Sequence, residues 1–141
     1  MQFTAVLALF AAGAFAQSTE NVEISEFSVH KTGATGANIG TPDSVSFKLL
    51  GNDAQGLACS STTGQLTSLP SSAITCSGSK YSFSLLPGAD ASSFGLKVSK
   101  EVSTAAGITG QGVIPVNCRA GGDSTEVCQQ VQSPVTITIH V

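Results

Sequence analysis

The sequence predicts an all-β protein, a single-domain compact antiparallel β-barrel or sandwich of short strands with two disulfides. Three observations predict this class. Apolar and polar residues alternate with a period of two, which is the pattern of half-buried strands. Turn residues interrupt this alternation about every eight to twelve residues, as in sandwiches and barrels. The chain also carries four cysteines, and an even number favours disulfide pairing in an exported protein.

The strands follow one another with few ambiguities. The first holds two apolar pairs, Val22 with Ile24 and Phe27 with Val29, whose phases are offset. A β-bulge is therefore predicted near Ser25-Glu26. The later strands alternate without a break, and their apolar residues are Val45, Phe47 and Leu49; Tyr81, Phe83 and Leu85; Phe94, Leu96 and Val98; and, in the last strand, Val135, Ile137, Ile139 and Val141.

Glycine, proline, asparagine and aspartate mark the connections between these strands. Loops are predicted at 33–42, at 51–53 and at 87–90, because these residues preset or tolerate turn conformations. Gly121-Gly122-Asp123 forms the predicted tip of a hairpin between the last two cysteines. The segment 101–107 fits a short helical turn or a strand, and the pattern does not decide between them.

The N-terminal segment has the features of a secretory leader. Residues 5–16 are without a polar side chain and end in Ala14-Phe15-Ala16, which suits a signal peptidase. A helix of about twelve residues is about 18 Å long, too short for a hydrocarbon core of about 30 Å. We therefore expect a signal peptide at 1–16, removed on export, and a secreted, extracellular domain at 17–141 without membrane insertion.

The cysteines lie at Cys59, Cys76, Cys118 and Cys128, all outside the leader. In an exported chain they predict two disulfides. Three pairings are open, of which the local one, Cys59 with Cys76 and Cys118 with Cys128, closes loops of hairpin length. A zinc site would need closer, CxxC-like spacing. No metal site is therefore expected.

The charge distribution excludes some classes of partner. The net charge is only −3, and the charged residues form no run of one sign. Nucleic-acid binding needs a clustered basic face, and binding to an acidic membrane surface needs a polybasic patch. Neither a nucleic acid nor a membrane is expected as a partner.

Groups able to do chemistry are sparse, so no catalytic residue and no cofactor is expected. His30 and His140 fall on strands and face away from the apolar side, and no Gly-x-Ser-x-Gly elbow is present. Glu23 and Glu26 form the closest carboxylate pair, and a bulge between them leaves a hydrolase as a minor alternative. Aspartates in separate loops, such as Asp53, are typical turn formers.

Arg119 is the only arginine of the chain, placed between Cys118 and the Gly121-Gly122-Asp123 tip. Arginine is enriched at the energetic centres of protein interfaces, so Arg119, Gly121, Gly122 and Asp123 form a candidate recognition loop. Alternatively, the guanidinium binds backbone carbonyls and braces the loop. Both interpretations are open at this point.

A resemblance to a known family rests on the same region. Cys118-Arg119-Ala120-Gly121-Gly122, followed by Cys128-Gln129, and Ile24-Ser25-Glu26-Phe27 near the mature start are similar to the Alternaria major allergen family of small secreted fungal proteins. That family includes elicitors of the plant hypersensitive response. The similarity extends through essentially all of the mature chain. It implies a compact β-barrel with the bridges Cys59–Cys76 and Cys118–Cys128.

The resemblance also implies a function and a partner. It implies perception by plant cells, through a cell-surface receptor or an apoplastic target protein, followed by defence responses and localised cell death. The alternative is a carrier of a small apolar or phenolic ligand in the barrel. The allergen type joins two subunits through an additional N-terminal cysteine, and this chain has none between Gln17 and Ala58. We therefore expect a monomer or a non-covalent dimer.

Overall fold

A computed structural model describes residues 19–35, 38–103 and 106–141, and every regular element within these ranges is a strand. The predicted leader at 1–16 lies outside them. No helix in the described ranges has the length and apolarity needed to cross a membrane. The all-β prediction is confirmed. The nine strands are β1 Thr19–Thr35, β2 Asn38–Gly51, β3 Ala54–Ser60, β4 Ile74–Thr75, β5 Tyr81–Pro87, β6 Ser93–Ser103, β7 Ala106–Gly122, β8 Thr125–Gln130 and β9 Val135–His140.

The strands form one antiparallel sheet in the order β3-β2-β1-β8-β7-β6-β5-β4, and β9 pairs with both β1 and β7. The long strand β1 has two partners on the same edge. Its first part, Thr19–Ile24, pairs with β9, and its second part, Ser28–Thr32, pairs with β8. Strand β9 therefore bridges the gap that β8 leaves between β1 and β7.

The change of partner along β1 coincides with a bulge. The register against β2 shifts between Ser25 and Ser28, and Glu26 has a left-handed backbone with φ of 55°. The Gln130 side chain completes the hydrogen bonding there. Its Oε1 accepts from the Phe27 amide at 3.0 Å and its Nε2 donates to the Ile24 carbonyl at 2.9 Å. The bulge predicted from the offset apolar pairs is confirmed.

A disulfide joins the two strands at the ends of the sheet order. Cys59 lies in β3 and Cys76 directly follows β4, with their Cα atoms 4.5 Å apart. The segment between them lies along β5. The Ser71 amide donates to the Leu85 carbonyl at 2.9 Å, and the Leu85 amide donates to Ser71 Oγ at 2.9 Å. The Cys59–Cys76 bridge thus holds the ends of the sheet together covalently.

Aromatic rings fill the interior of the barrel. Phe47 and Phe83 pack edge to face with their centroids 4.9 Å apart, and Phe27 lies 6.1 Å from Phe47 and 6.2 Å from Phe94. All four rings are buried, as are the apolar residues of the predicted alternation on β1, β2, β5, β6 and β9 up to Ile139, apart from Val135, which is partly buried. Burial of each such side chain contributes about 1.5–3 kcal/mol. The alternation therefore identifies the core-facing side of each of these strands.

The loop predicted at 33–42 is wrong. Strand β1 continues to Thr35 and β2 begins at Asn38, and Pro42 pairs with Lys31 inside this hairpin. Proline has no amide hydrogen, so it is tolerated only where a strand lacks a neighbour on one side. That condition holds here, because β3 pairs with β2 only from Ser46 onward.

The structure decides one open expectation from the sequence and corrects another. The undecided segment 101–107 belongs to β6 and β7, apart from 104–105, which lie outside the described residues. Val141 does not share the buried face of the last strand. Strand β9 ends at His140, and Val141 beyond it is 87% exposed.

Candidate recognition site

The last two cysteines staple a hairpin. In the pairing of β7 with β8, Cys118 lies directly opposite Cys128, and their Cα atoms are 3.9 Å apart. Arg119 lies opposite Val127 in the next pair. The bridge therefore fixes the hairpin immediately beside Arg119, which lowers the conformational freedom of the backbone that carries this side chain.

Glycines shape the tip of the hairpin. Gly122, Asp123 and Ser124 have left-handed backbones, with φ of 80°, 49° and 61°, a region that glycine enters freely and aspartate tolerates. The Thr125 hydroxyl closes the turn by donating to the Gly122 carbonyl at 2.6 Å. A Cβ on Gly121 would lie 2.8 Å from Thr125 Oγ1. Gly121, Gly122 and Asp123 are all exposed.

Arg119 points outward from this hairpin. It is exposed, whereas Val116 and Cys128 on the other face are buried. Within the described residues, its guanidinium makes neither a hydrogen bond nor an ion pair. Arg119 therefore does not brace the loop in this structure, and its donors face solvent.

The neighbouring strand adds a second polar pair to the same face. His30 in β1 lies opposite Val127, which in turn lies opposite Arg119. Adjacent strands are about 4.8 Å apart, so His30 and Arg119 are about 10 Å apart at the backbone. His30 Nδ1 contacts Asp43 Oδ1 at 2.6 Å, and both side chains are partly exposed. We call Arg119, Val127, His30 and Asp43 the recognition face.

The remaining candidate groups are not brought together. His140 is exposed, and its ring contacts the Val141 carbonyl at 3.0 Å. Glu23 lies opposite Thr136, whereas Glu26 is exposed at the bulge. Among the described residues, the only group with metal-ligand proximity is Cys118, Glu126 and Cys128. Its two sulfurs are bonded to each other, so they are not free thiolate ligands.

A buried charge cluster at one end of the barrel was missed by the sequence analysis. Lys100 Nζ lies 2.7 Å from Glu20 Oε1 and 2.5 Å from Asp53 Oδ2, and the Tyr81 hydroxyl donates to Glu20 Oε2 at 2.5 Å. Glu20 is only 5% exposed. The Asn52 amide also donates to Glu20 Oε2, at 3.0 Å. Each charge of this end cluster therefore has a direct partner.

A signal for this cluster is nevertheless present in the alternation. Lys100 continues the inward phase of Phe94, Leu96 and Val98, and Glu20 precedes Val22 in phase. A charged residue in the apolar phase of a strand indicates a buried ion pair, because an unpaired buried charge is very costly. Asp53, interpreted as a turn former, is also an ion-pair partner in this cluster.

The contacts shift the ionisation of the end cluster. Burial alone raises the pKa of the Glu20 carboxyl, but hydrogen bonds from Lys100, Tyr81 and Asn52 outweigh it and lower the pKa below 4.5. Burial lowers the pKa of Lys100, but the hydrogen bonds to Asp53 and Glu20 outweigh it and raise the pKa above 10.5. Burial and the hydrogen bond to Glu20 raise the pKa of Tyr81. All three groups therefore keep their usual ionisation states near neutral pH.

We expect acid to weaken the fold through Glu20. A carboxyl whose folded pKa is lowered stabilises the protein above its unfolded pKa, here near 4.5, and this contribution is lost as the pH falls through the folded value. Lys100 has the opposite sign, so its contribution persists until the pH rises above 10.5. In urea unfolding between about pH 3 and pH 6, Glu20→Gln should give a shallower pH dependence than the native protein. Glu23→Gln on the same strand should not, and equal slopes for both variants would contradict the assignment.

The chain is similar to proteins already described from fungi. Residues 24–129 match the family model described as Alternaria alternata allergen 1. The chain is 41% identical over 155 residues to the effector protein PevD1 of Verticillium dahliae, covering 99% of this chain and 94% of that protein. Two crystal structures of the Alternaria alternata allergen Alt a 1 match with TM-scores of 0.63 and 0.64 at 26% identity. These matches cover 89% of this chain and 94% and 90% of the allergen chains.

Proposed function

Because this chain belongs to the Alternaria alternata allergen 1 family, we propose that it is a secreted fungal effector that plant cells perceive through its folded surface. Perception induces defence responses and hypersensitive cell death. The leader at 1–16 is removed, and the barrel at 17–141 acts outside the fungal cell. Family membership and 41% identity to a fungal effector support this function.

The observation that carries the proposal is the guanidinium of Arg119, which has no partner among the described residues and lies beside the Cys118–Cys128 bridge. A cation held on a stapled hairpin loses little further backbone freedom when it binds, so more of its interaction energy appears as affinity. Arginine in such a position is a frequent interface hot spot. The partner is a plant cell-surface receptor or an apoplastic target protein that offers a carboxylate to Arg119.

The protein acts by being bound, without catalysis and without a cofactor. The relatives bear the names effector and allergen rather than the name of an enzyme. All four cysteines are used in the two intramolecular disulfides, so no thiol is left to join two subunits covalently. Perception therefore involves a monomer or a non-covalent dimer.

Infiltration of leaves with purified 17–141 protein tests this function. The native, oxidised protein should induce defence signalling and cell death, and the reduced and alkylated protein should not, because recognition depends on the folded surface. Arg119→Ala should need at least a roughly tenfold higher dose, as expected for a hot-spot side chain. Lys97→Ala also removes an exposed cation, from β6, and should keep the native dose response.

Three outcomes would count against parts of the proposal. Activity of the alkylated protein would mean that a linear peptide is perceived. Equal potency of Arg119→Ala and Lys97→Ala would remove Arg119 from the recognition face. A folded native protein that is inert in several plant species would overturn the elicitor function itself.

A further inference from the structure

A second buried lysine lies at a different place in the barrel from the end cluster. The β1–β2 register shifts between His30 and Lys31, and His30 is partly exposed whereas Lys31 is only 3% exposed. Lys31 Nζ lies 3.4 Å from Glu126 Oε1 and 5.3 Å from the centroid of the Phe94 ring. Lys31 is therefore a cation removed from water with one carboxylate nearby.

A pocket of about 350 Å³ opens at this lysine. Lys31 and Phe94 are its most deeply buried lining residues, and Pro42, Leu69 and Pro87 supply apolar walls. The interior of the barrel is filled by its own aromatic rings, whereas this pocket is open. An apolar cleft with one placed charged group is the usual form of a small-molecule site.

The end cluster shows what a buried lysine of this protein takes as partners. Lys100 has two carboxylates, from Glu20 at 2.7 Å and Asp53 at 2.5 Å. Lys31 has the single carboxylate of Glu126, at a distance longer than the 2.7–2.9 Å typical of a charge-assisted hydrogen bond. Buried charges need close partners, so the positive charge of Lys31 is less well neutralised than that of Lys100. The pocket provides the space for a second carboxylate.

We propose that this pocket binds a small carboxylate with an apolar body. The carboxylate accepts a hydrogen bond from Lys31 Nζ, as Asp53 does at Lys100, and the apolar body packs against Phe94, Leu69 and the two prolines. At about 30 Å³ for each displaced water, the pocket holds a molecule of about ten non-hydrogen atoms. Asp90 also lines the pocket, but it is exposed and its carboxylate already accepts from the Ser92 amide at 2.8 Å.

The site can be tested with 3-phenylpropanoate and its neutral isostere 3-phenylpropanamide, titrated into the oxidised protein and followed by amide NMR shifts. The acid should cause saturable shifts at Lys31, Ala91 and Phe94, and the amide should bind at least tenfold more weakly. Lys31→Met keeps the length of the side chain and removes its charge, so it should weaken binding of the acid at least tenfold. Lys97→Met, an exposed lysine of β6, should leave it unchanged within twofold.

Three results would overturn the proposal. The acid and the amide could bind equally well, or the saturable shifts could be confined to another part of the barrel. The third is the absence of saturation up to about 10 mM, a weak limit for a ligand of this size. If Lys31→Met does not fold, the comparison of acid with amide on the native protein decides alone. The binding assay is independent of the leaf response, so its failure leaves the effector function untouched.

Discussion

Replacing Lys100 with methionine is expected to destabilise the barrel by about 3–5 kcal/mol, the usual effect of removing one partner of a buried ion pair. The substitution leaves Glu20, which is 5% exposed, without its cation. The Tyr81 hydroxyl and the Asn52 amide still donate to Glu20, but neither carries a charge that compensates the carboxylate. The carboxylate of Asp53 is exposed, so its charge loses less stabilisation, because water solvates it in place of Lys100.

A double variant separates charge from packing. Glu20→Gln combined with Lys100→Met removes both charges, so it should recover a large part of the lost stability relative to Lys100→Met alone. Lys97→Met, in the same strand but exposed, should change stability by less than about 0.5 kcal/mol. Urea unfolding at neutral pH measures all four proteins. A double variant no more stable than the single one would show that packing, rather than the unpaired charge of Glu20, sets the cost.

Replacing Gly110 with alanine is expected to open the contact between β7 and β9. A Cβ at Gly110 would lie 2.0 Å from the Thr138 carbonyl oxygen and 3.1 Å from Ile139 Cα, and both atoms belong to the backbone. Strand β9 has to move away, which exposes Ile137 and Ile139 from the core. The strain costs about 1–3 kcal/mol, and each side chain that leaves the core costs about 1.5–3 kcal/mol of burial. We therefore expect the free energy of unfolding to fall by more than about 3 kcal/mol.

Gly112→Ala is the matched control for this substitution. Gly112 lies two residues further along β7, and its added Cβ would meet only the side chain of Ile137, with Cγ1 at 3.0 Å. A side chain adjusts more easily than a backbone, so we expect the free energy of unfolding to fall by about 1 kcal/mol or less. Thermal unfolding compares the two variants. Similar melting temperatures for both would contradict the view that Gly110 is needed for the approach of β9.

Most of the fold was predictable from two features of the sequence, the alternation of apolar and polar residues and the four cysteines. The offset of Val22 and Ile24 from Phe27 and Val29 was sufficient to predict the bulge, because a single inserted residue reverses the inward phase. The loop expected at 33–42 fails for a different reason. Turn propensity reports only local preference, whereas Pro42 is accommodated because β2 has a neighbour on one side only at that point.

The candidate sites were predictable to different degrees. Arg119 stands out in the sequence because it is the only arginine and lies near a cysteine and two glycines. That it has no partner within the part of the chain that the structure describes is visible only in three dimensions. The end cluster joins Glu20 to Lys100 across eighty residues, and no periodicity specifies which inward charges meet. Lys31 continues the inward phase of Phe27 and Val29, so its burial was predictable in the same way as that of Lys100, whereas its partner Glu126 was not.

The pairing of β1 with β9 has a consequence for how the protein is made. It joins the two termini of the barrel, with Thr138 donating to Asn21 across 117 residues of chain. Contacts of such high sequence separation form late and slow folding, and β9 is synthesised after all the other described strands. Until then the edge of β1 is an unpaired template for other strands. Barrel closure therefore waits for the synthesis of β9, and a chain that lacks β9 is an aggregation-prone species.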